Sequence, residues 1–205
     1  MKETIHVCDN FLRSPERLID EASRMEWVAK KDGSQIRKTA RSQYASEIER
    51  RYDRMCGRSV NWSIRYGSGT YRGFTEKQIL KSGGLCEVHA DVGSTRVFII
   101  YLNRPDECHG GTGFYRHKQT GLESPYDWDV VSTILRRFRW TMEDLGARLL
   151  ADSKDPSKWV LVDMVSMRFN RLLVMDGRRF HSHILDFHAS RCPAARRLTM
   201  MSFGA

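Results

Sequence analysis

Residues 86–94 read CEVHADVGS, with His89 and Asp91 two positions apart at their centre. On an extended chain, positions i and i+2 project from one face, so an imidazole and a carboxylate would point the same way. Non-haem iron(II) that must also bind oxygen and a co-substrate needs such a shell. Two neutral imidazoles and one carboxylate hold it from one side and leave the remaining positions open. His-x-Asp alone is a common accident, and a solvated strand end is its ordinary reading. Three later histidines compete for the third place: His181, His183 and His188. The first two share a face by the same period of two, and His188 falls in an expected loop.

The other polar candidates are weaker. His117, in GFYRHK, lies on an expected strand that would border such a pocket, and a surface position is the alternative. His109, beside Gly110-Gly111, reads as a loop residue, and His6 as a strand end. GGTG lacks both GxxxxGK[ST] and a GxGxxG before a helix, which disfavours nucleotide binding. A cysteine nucleophile would need a partnered base, and Cys86 has only its proximity to His89.

The elements that must position these residues follow from apolar periodicity. Residues 4–8 read as a strand. Ser14-Pro15-Glu16 reads as a helix start with Ser14 as cap, and Leu18, Ile19, Ala22 and Met25 give that helix one apolar face. Residues 28–41 read as a polar loop, and a second helix is expected near 42–56. Alternation at Val60, Trp62, Ile64 and Tyr66 predicts a strand ending at the Gly67-Ser68-Gly69 turn. Strands are expected over 84–90, 95–103 and TGFYRHK. A helix is expected over about 128–150, on the stripe Trp128, Val131, Leu135, Phe138, Met142, Leu145 and Leu149. WVLVDMVSMRF, RLLVMD, RRFHSHIL and RRLTMMSF complete the strand set. The pattern predicts an α+β, mainly β domain spanning 1–205. Residues 1–58 would be mostly helical support and 59–205 a β core with an inserted helix.

The bulk properties agree. The 205 residues carry a formal net charge of +9, with 40% hydrophobic and 29% charged residues. No apolar run approaches the roughly 20 residues that a membrane helix needs. MKETIHVCDNFL has no signal-peptide apolar region, and five scattered cysteines form no CxxC pair. Reduced thiols in the cytoplasm are the expectation. The basic residues are dispersed, so they read first as solvated faces, although the field would draw anionic molecules.

HADVGSTRVFIIYLNRPDECHGGTGFYRHKQTG, followed by NRLLVMDGRRFHSHIL and RRLTMMSF, resembles the iron(II)- and 2-oxoglutarate-dependent dioxygenases. Within them it is most similar to the prolyl-hydroxylase-like branch, in a bacterial group of uncharacterised function sharing GGTxFYRH and NRLxxxxGxxFHS segments. The resemblance covers about residues 85–203. It implies a double-stranded β-helix, a cupin-like jelly-roll, with buttressing helices and the metal at one open end. By position in the family pattern, His89, Asp91 and His181 match the iron ligands, with His183 as alternative for the third. Arg197 matches the arginine that anchors 2-oxoglutarate, since guanidinium pairs with a carboxylate through two parallel hydrogen bonds. Arg196 would face the other way. Tyr101 matches a tyrosine that assists that anchor, and Thr199 would share the face of Arg197. His117, Asn170 and Arg171 are candidates for substrate contact or ligand support.

The resemblance implies consumption of O2 and 2-oxoglutarate, release of succinate and CO2, and hydroxylation of a C–H bond. Asp91 argues against halogenation, because halogenating relatives replace that carboxylate. An amino acid or other small metabolite is the expected substrate. The basic segment 30–58 leaves a carrier protein or nucleic acid as alternative. An inactive jelly-roll binding module and a zinc hydrolase using the same ligands are the competing classes.

Overall fold

The computed structural model describes residues 5–29, 36–37, 40–57, 59–62, 67–74, 87–91, 93, 95–184 and 197–204. The first elements are β1 (His6–Cys8), α1 (Glu16–Arg24), β2 (Val28–Ala29), β3 (Ile36–Arg37), α2 (Ala45–Cys56), β4 (Thr70–Phe74), β5 (Arg96–Tyr101) and β6 (Gly111–His117). Next come α3 (Trp128–Phe138), α4 (Met142–Asp152), β7 (Trp159–Ser166), β8 (Leu172–Met175), β9 (His181–Ile184) and β10 (Arg197–Gly204). One sheet has the order β1-β8-β5-β10-β4-β3-β2 and the other β7-β6-β9. Every pairing is antiparallel.

Strand β5 shows why the layers stack as they do. Val97 through Tyr101 are all buried, so the strand is covered on both faces. Phe98 and Ile100 join Leu18 and Ala22 of α1 and Ile48 and Tyr52 of α2 in one apolar cluster. Val97, Ile99 and Tyr101 join Phe114 of β6 and Val165 of β7 in another. The α1–α2 pair therefore covers the outer face of the large sheet, and the small sheet covers its inner face. A third cluster packs Val131, Ile134 and Leu145 of α3 and α4 against Tyr115 and Trp159 of the small sheet.

The sequence-based elements match with local exceptions. The expected helix over 128–150 is two helices. Arg139 takes a left-handed conformation at φ 55° and ends α3. Thr141 and Asp144 then form a reciprocal capping box that starts α4. Trp128 and Met142 lie exposed, so the apolar stripe is narrower than its spacing suggests. The loop expected over 28–41 includes the paired strands β2 and β3. The expected strand over 60–66 is represented by a single bridge from Trp62 to Gly204, residues 63–66 lying outside the described set. Pro15 rather than Ser14 stands at the cap of α1, without a side-chain capping bond. Strand β4 was unassigned by the periodicity. No described helix is long and apolar enough to cross a membrane.

Candidate metal centre

Residues 87–91 do not form the continuous strand expected over 84–90, whose first residues, 84–86, are outside the described set. They are held by backbone bonds to three neighbours instead. Val88 N–H donates to the Ser153 carbonyl after α4, and Asp91 N–H to the Gly177 carbonyl at 2.7 Å. Between them His89 and His181 exchange backbone bonds at 3.0 and 2.9 Å, an isolated bridge onto the start of β9. The segment is thus pinned with both histidines side by side, their ring centres 4.5 Å apart.

Asp91 completes the group. His181 Nε2 lies 3.5 Å from Asp91 Oδ2, and His89 Nε2 lies 3.9 Å from Oδ1. One ligand atom from each of the three residues falls within 4.8 Å of the others. The Nδ1 atoms face away: that of His181 meets the Arg179 carbonyl at 2.8 Å and that of His89 the Glu87 carbonyl at 2.9 Å. A carbonyl can only accept, so each Nδ1 carries hydrogen and Nε2 is turned toward the carboxylate. Asp91 Oδ2 is buried and has no hydrogen-bond partner among the described residues. A buried carboxylate oxygen left without a donor is costly, and a divalent cation between the three side chains would satisfy it. The donor set fits a metal.

The guanidinium of Arg197 lies at the far end of β9 from His181. Its Nη1 donates to the Gly111 carbonyl at 2.6 Å and to the Ile184 carbonyl at 3.4 Å, and Nη2 reaches Thr112 Oγ1 at 3.4 Å. The Tyr101 ring lies beneath the guanidinium, 5.4 Å from centre to Cζ. Tyr101 and Thr112 are linked by a 2.7 Å hydroxyl–hydroxyl bond. Since His181 pairs with Phe114 and His183 with Thr112, the order along β9 is His181, His183, then the guanidinium of Arg197.

The sequence matches the model of a family of unknown function, DUF6445, over residues 1–204. The chain belongs to the DUF6445 family. No curated protein matches it in sequence. Among solved structures it is similar to the non-heme alpha ketoglutarate dependent epimerase SnoN from nogalamycin biosynthesis, with a TM-score of 0.53 and 13% identity. That match covers 98% of this chain and 78% of the other. It is also similar to HygX from Streptomyces hygroscopicus, solved with nickel, 2-oxoglutarate and hygromycin B, at a TM-score of 0.50 and 10% identity. Here 98% of this chain and 83% of the other are covered. Both likenesses are likenesses of fold.

In this DUF6445 chain the cluster opens to one side, the side chains of His89, Asp91 and His181 being 43%, 22% and 6% exposed. Burial, helped by nearby His89, holds His181 down to about 3, so its imidazole is neutral and able to donate a lone pair. Burial pushes the Asp91 carboxyl up, while His89 and Arg72 oppose it. His183 is half-buried and lies well below its ordinary range, through desolvation first and the charge of Arg197 second. It does not join the three-residue group. His188 and Arg196 lie outside the described residues.

Other predicted candidates are placed elsewhere. Both ring nitrogens of His117 are engaged, Nδ1 with Thr120 at 2.9 Å and Nε2 with Asp152 at 3.1 Å, tying β6 to the end of α4. Asn170 bonds the backbone N–H and C=O of Leu12 through its amide, each at 2.8 Å. Arg171 forks onto both carboxylate oxygens of Asp9. These contacts tie separate parts of the chain together. Thr199 faces Tyr101 across β10 and β5, and its hydroxyl reaches the Arg72 carbonyl at 3.5 Å. The periodicity missed Thr112, although it alternates with Phe114 in TGFYRH, and missed Arg72, although TYRGF alternates as well.

Proposed function

We propose that this DUF6445 protein is an Fe(II)- and 2-oxoglutarate-dependent oxygenase that hydroxylates a C–H bond of a small molecule, most closely an amino acid or similar metabolite. The two-sheet sandwich is read as a double-stranded β-helix and the chain as a relative of the prolyl-hydroxylase-like branch. One observation carries the reading: two Nε2-presenting histidines and a carboxylate converge beside β9, and the guanidinium of the buried Arg197 of β10 reaches the far end of that strand at the Ile184 carbonyl. The fold likeness to an alpha ketoglutarate dependent epimerase and to a protein solved with nickel and 2-oxoglutarate bound supports it.

His89, Asp91 and His181 would hold the iron, which supplies oxygen activation when bound together with 2-oxoglutarate and O2. Arg197 would bind the distal carboxylate of the co-substrate by charge-assisted hydrogen bonds, with Thr112 and Tyr101 fixing its rotamer. A hydrolytic zinc site would have no use for a buried arginine at that position.

The test is anaerobic addition of Fe(II) and 2-oxoglutarate to metal-free protein. A visible charge-transfer absorption is expected, followed by succinate release in air. Folded protein that shows neither would overturn the proposal.

A further inference from the structure

The His117–Asp152 pair is a buried polar contact that the proposed reaction does not use. His117 is completely buried at the end of β6. Its Nδ1 meets Thr120 Oγ1 at 2.9 Å and its Nε2 meets Asp152 Oδ2 at 3.1 Å. An ionised carboxylate only accepts, so Nε2 carries the hydrogen and Nδ1 accepts from the Thr120 hydroxyl. Asp152 is the last residue of α4, where the helix dipole disfavours an acid. The helix by itself therefore gives no reason for a carboxylate at this point.

What Asp152 fixes is the end of α4, and that end reaches the metal centre. The Asp152 carbonyl accepts from the Trp159 indole N–H at 2.8 Å. Ser153, the next residue, is buried, and both its N–H and its hydroxyl donate to the Leu150 carbonyl. The Ser153 carbonyl in turn accepts the Val88 N–H at 2.9 Å, one residue before His89. The segment 87–91 has two other backbone anchors, His181 and Gly177. Both lie in the short stretch that leads into β9 and carries the third ligand. Among the described residues, Ser153 is thus the backbone anchor that holds His89 and Asp91 from outside that stretch. The same pair also backs the second histidine. The Trp159 ring lies 4.9 Å from that of His117 and 5.0 Å from that of Phe180, the residue before His181. Val88 and Phe180, each next to a ligand, are buried in one cluster with Trp159.

We propose that His117 and Asp152 are positioning residues for the metal centre. Their hydrogen bond sets the end of α4, whose Ser153 carbonyl and bonded Trp159 hold the chain neighbours of His89 and His181 in place for a shared metal ion. This rests on the metal-binding part of the oxygenase reading above and is independent of the co-substrate and the substrate. Neither residue is a ligand; each acts through the backbone that presents the ligands.

The experiment titrates Co(II) into metal-free, full-length protein and records the visible ligand-field absorption, with circular dichroism establishing that each variant is folded. Asp152→Ala and His117→Leu, which break the bond, should weaken Co(II) binding by about tenfold or more, as loss of a supporting partner does, and should alter the absorption. Asp152→Asn keeps an acceptor and His117→Gln a donor, so both should stay within about threefold of the unaltered protein. Thr141→Ala weakens the opposite end of α4 and reports stability alone: it should lower the melting temperature without moving Co(II) affinity or spectrum. Hydrogen exchange at the Val88 amide of the metal-free protein gives a second readout. It should be at least about tenfold faster in the bond-breaking variants than in Thr141→Ala. If neither bond-breaking variant folds, Asp152→Glu, which displaces the acceptor by one methylene, takes their place with the same expected direction. Folded bond-breaking variants with unchanged Co(II) affinity and spectrum would overturn the proposal, as would losses that Thr141→Ala reproduces. Unaltered protein that takes up no Co(II) would instead sink the metal reading itself, and this proposal with it.

Discussion

Arg197 on the large sheet donates to the Gly111 carbonyl on the small sheet, 2.6 Å away, and so couples the two layers just beyond His183. A buried guanidinium that spans the sandwich serves both architecture and recognition. Replacing it by Leu should weaken 2-oxoglutarate binding by about 10- to 100-fold, the worth of a charge-assisted hydrogen bond. It should also leave the buried Gly111 carbonyl and the half-buried Ile184 carbonyl short of a donor, at about 1–3 kcal/mol of stability. Arg197→Lys should recover charge but not the fork, and therefore less than half of the binding free energy lost. Calorimetric titration and urea unfolding measure the two effects separately.

His181 and His183 leave β9 on the same face, yet the three-residue group includes only His181. His181→Ala should therefore reduce affinity for Co(II), used as a spectroscopic stand-in, by more than about 100-fold, beyond the range typical of supporting residues. His183→Ala should retain Co(II) binding and weaken 2-oxoglutarate instead. The reverse pattern would move the third ligand two residues along the strand.

Acid should unfold the protein in two separable windows. Burial holds His117 below its ordinary value of 6.5, with Asp152 only partly opposing this. A depressed folded value means that stability is full above about pH 6.5 and falls as pH drops through that region, where the unfolded chain takes up the proton first. Asp9, held at about 2 chiefly by the hydrogen bond from Arg171, contributes stability that is full above about pH 4 and is lost toward pH 2. In urea midpoints measured against pH, His117→Gln should make the upper window shallower without abolishing it, since buried His181 and depressed His183 lose stability there with the same sign, and Asp9→Asn should flatten the lower one.

Thr141 accepts from Asp144 N–H at 3.1 Å while Asp144 accepts from Thr141 N–H at 2.8 Å. Thr141→Ala removes half of this box and should cost about 1 kcal/mol, read as a lower melting temperature with unchanged metal affinity.

What was legible in the sequence was whatever local period or order could encode. The buried run of β5, the strands after Trp159 and the shared face of His89 and Asp91 follow from types and spacing, whereas the choice of His181 over His183 and of Arg197 rests on the family resemblance. The α3–α4 break was hidden because a left-handed Arg139 carries no glycine to announce it, and the apolar stripe runs on across it. Asn170 and Arg171 sit beside cleft-forming strands in sequence, but their side chains turn to Leu12 and Asp9, more than 150 residues away in the chain. Thr112 and Arg72 acquire their places only from cross-strand register, which no local pattern contains.

His89 and His181 hold one another through main-chain atoms. The positions from which the two imidazoles project are therefore independent of the imidazoles themselves. A glycine put at either site deletes a ligand without moving its neighbour, and leaves a vacancy of imidazole shape beside intact partners. Such a protein is suited to chemical complementation: free imidazole in solution should restore metal uptake to His89→Gly, the more exposed of the two, more readily than to His181→Gly. The scaffold and the reagent it carries are, in this chain, two separate inheritances.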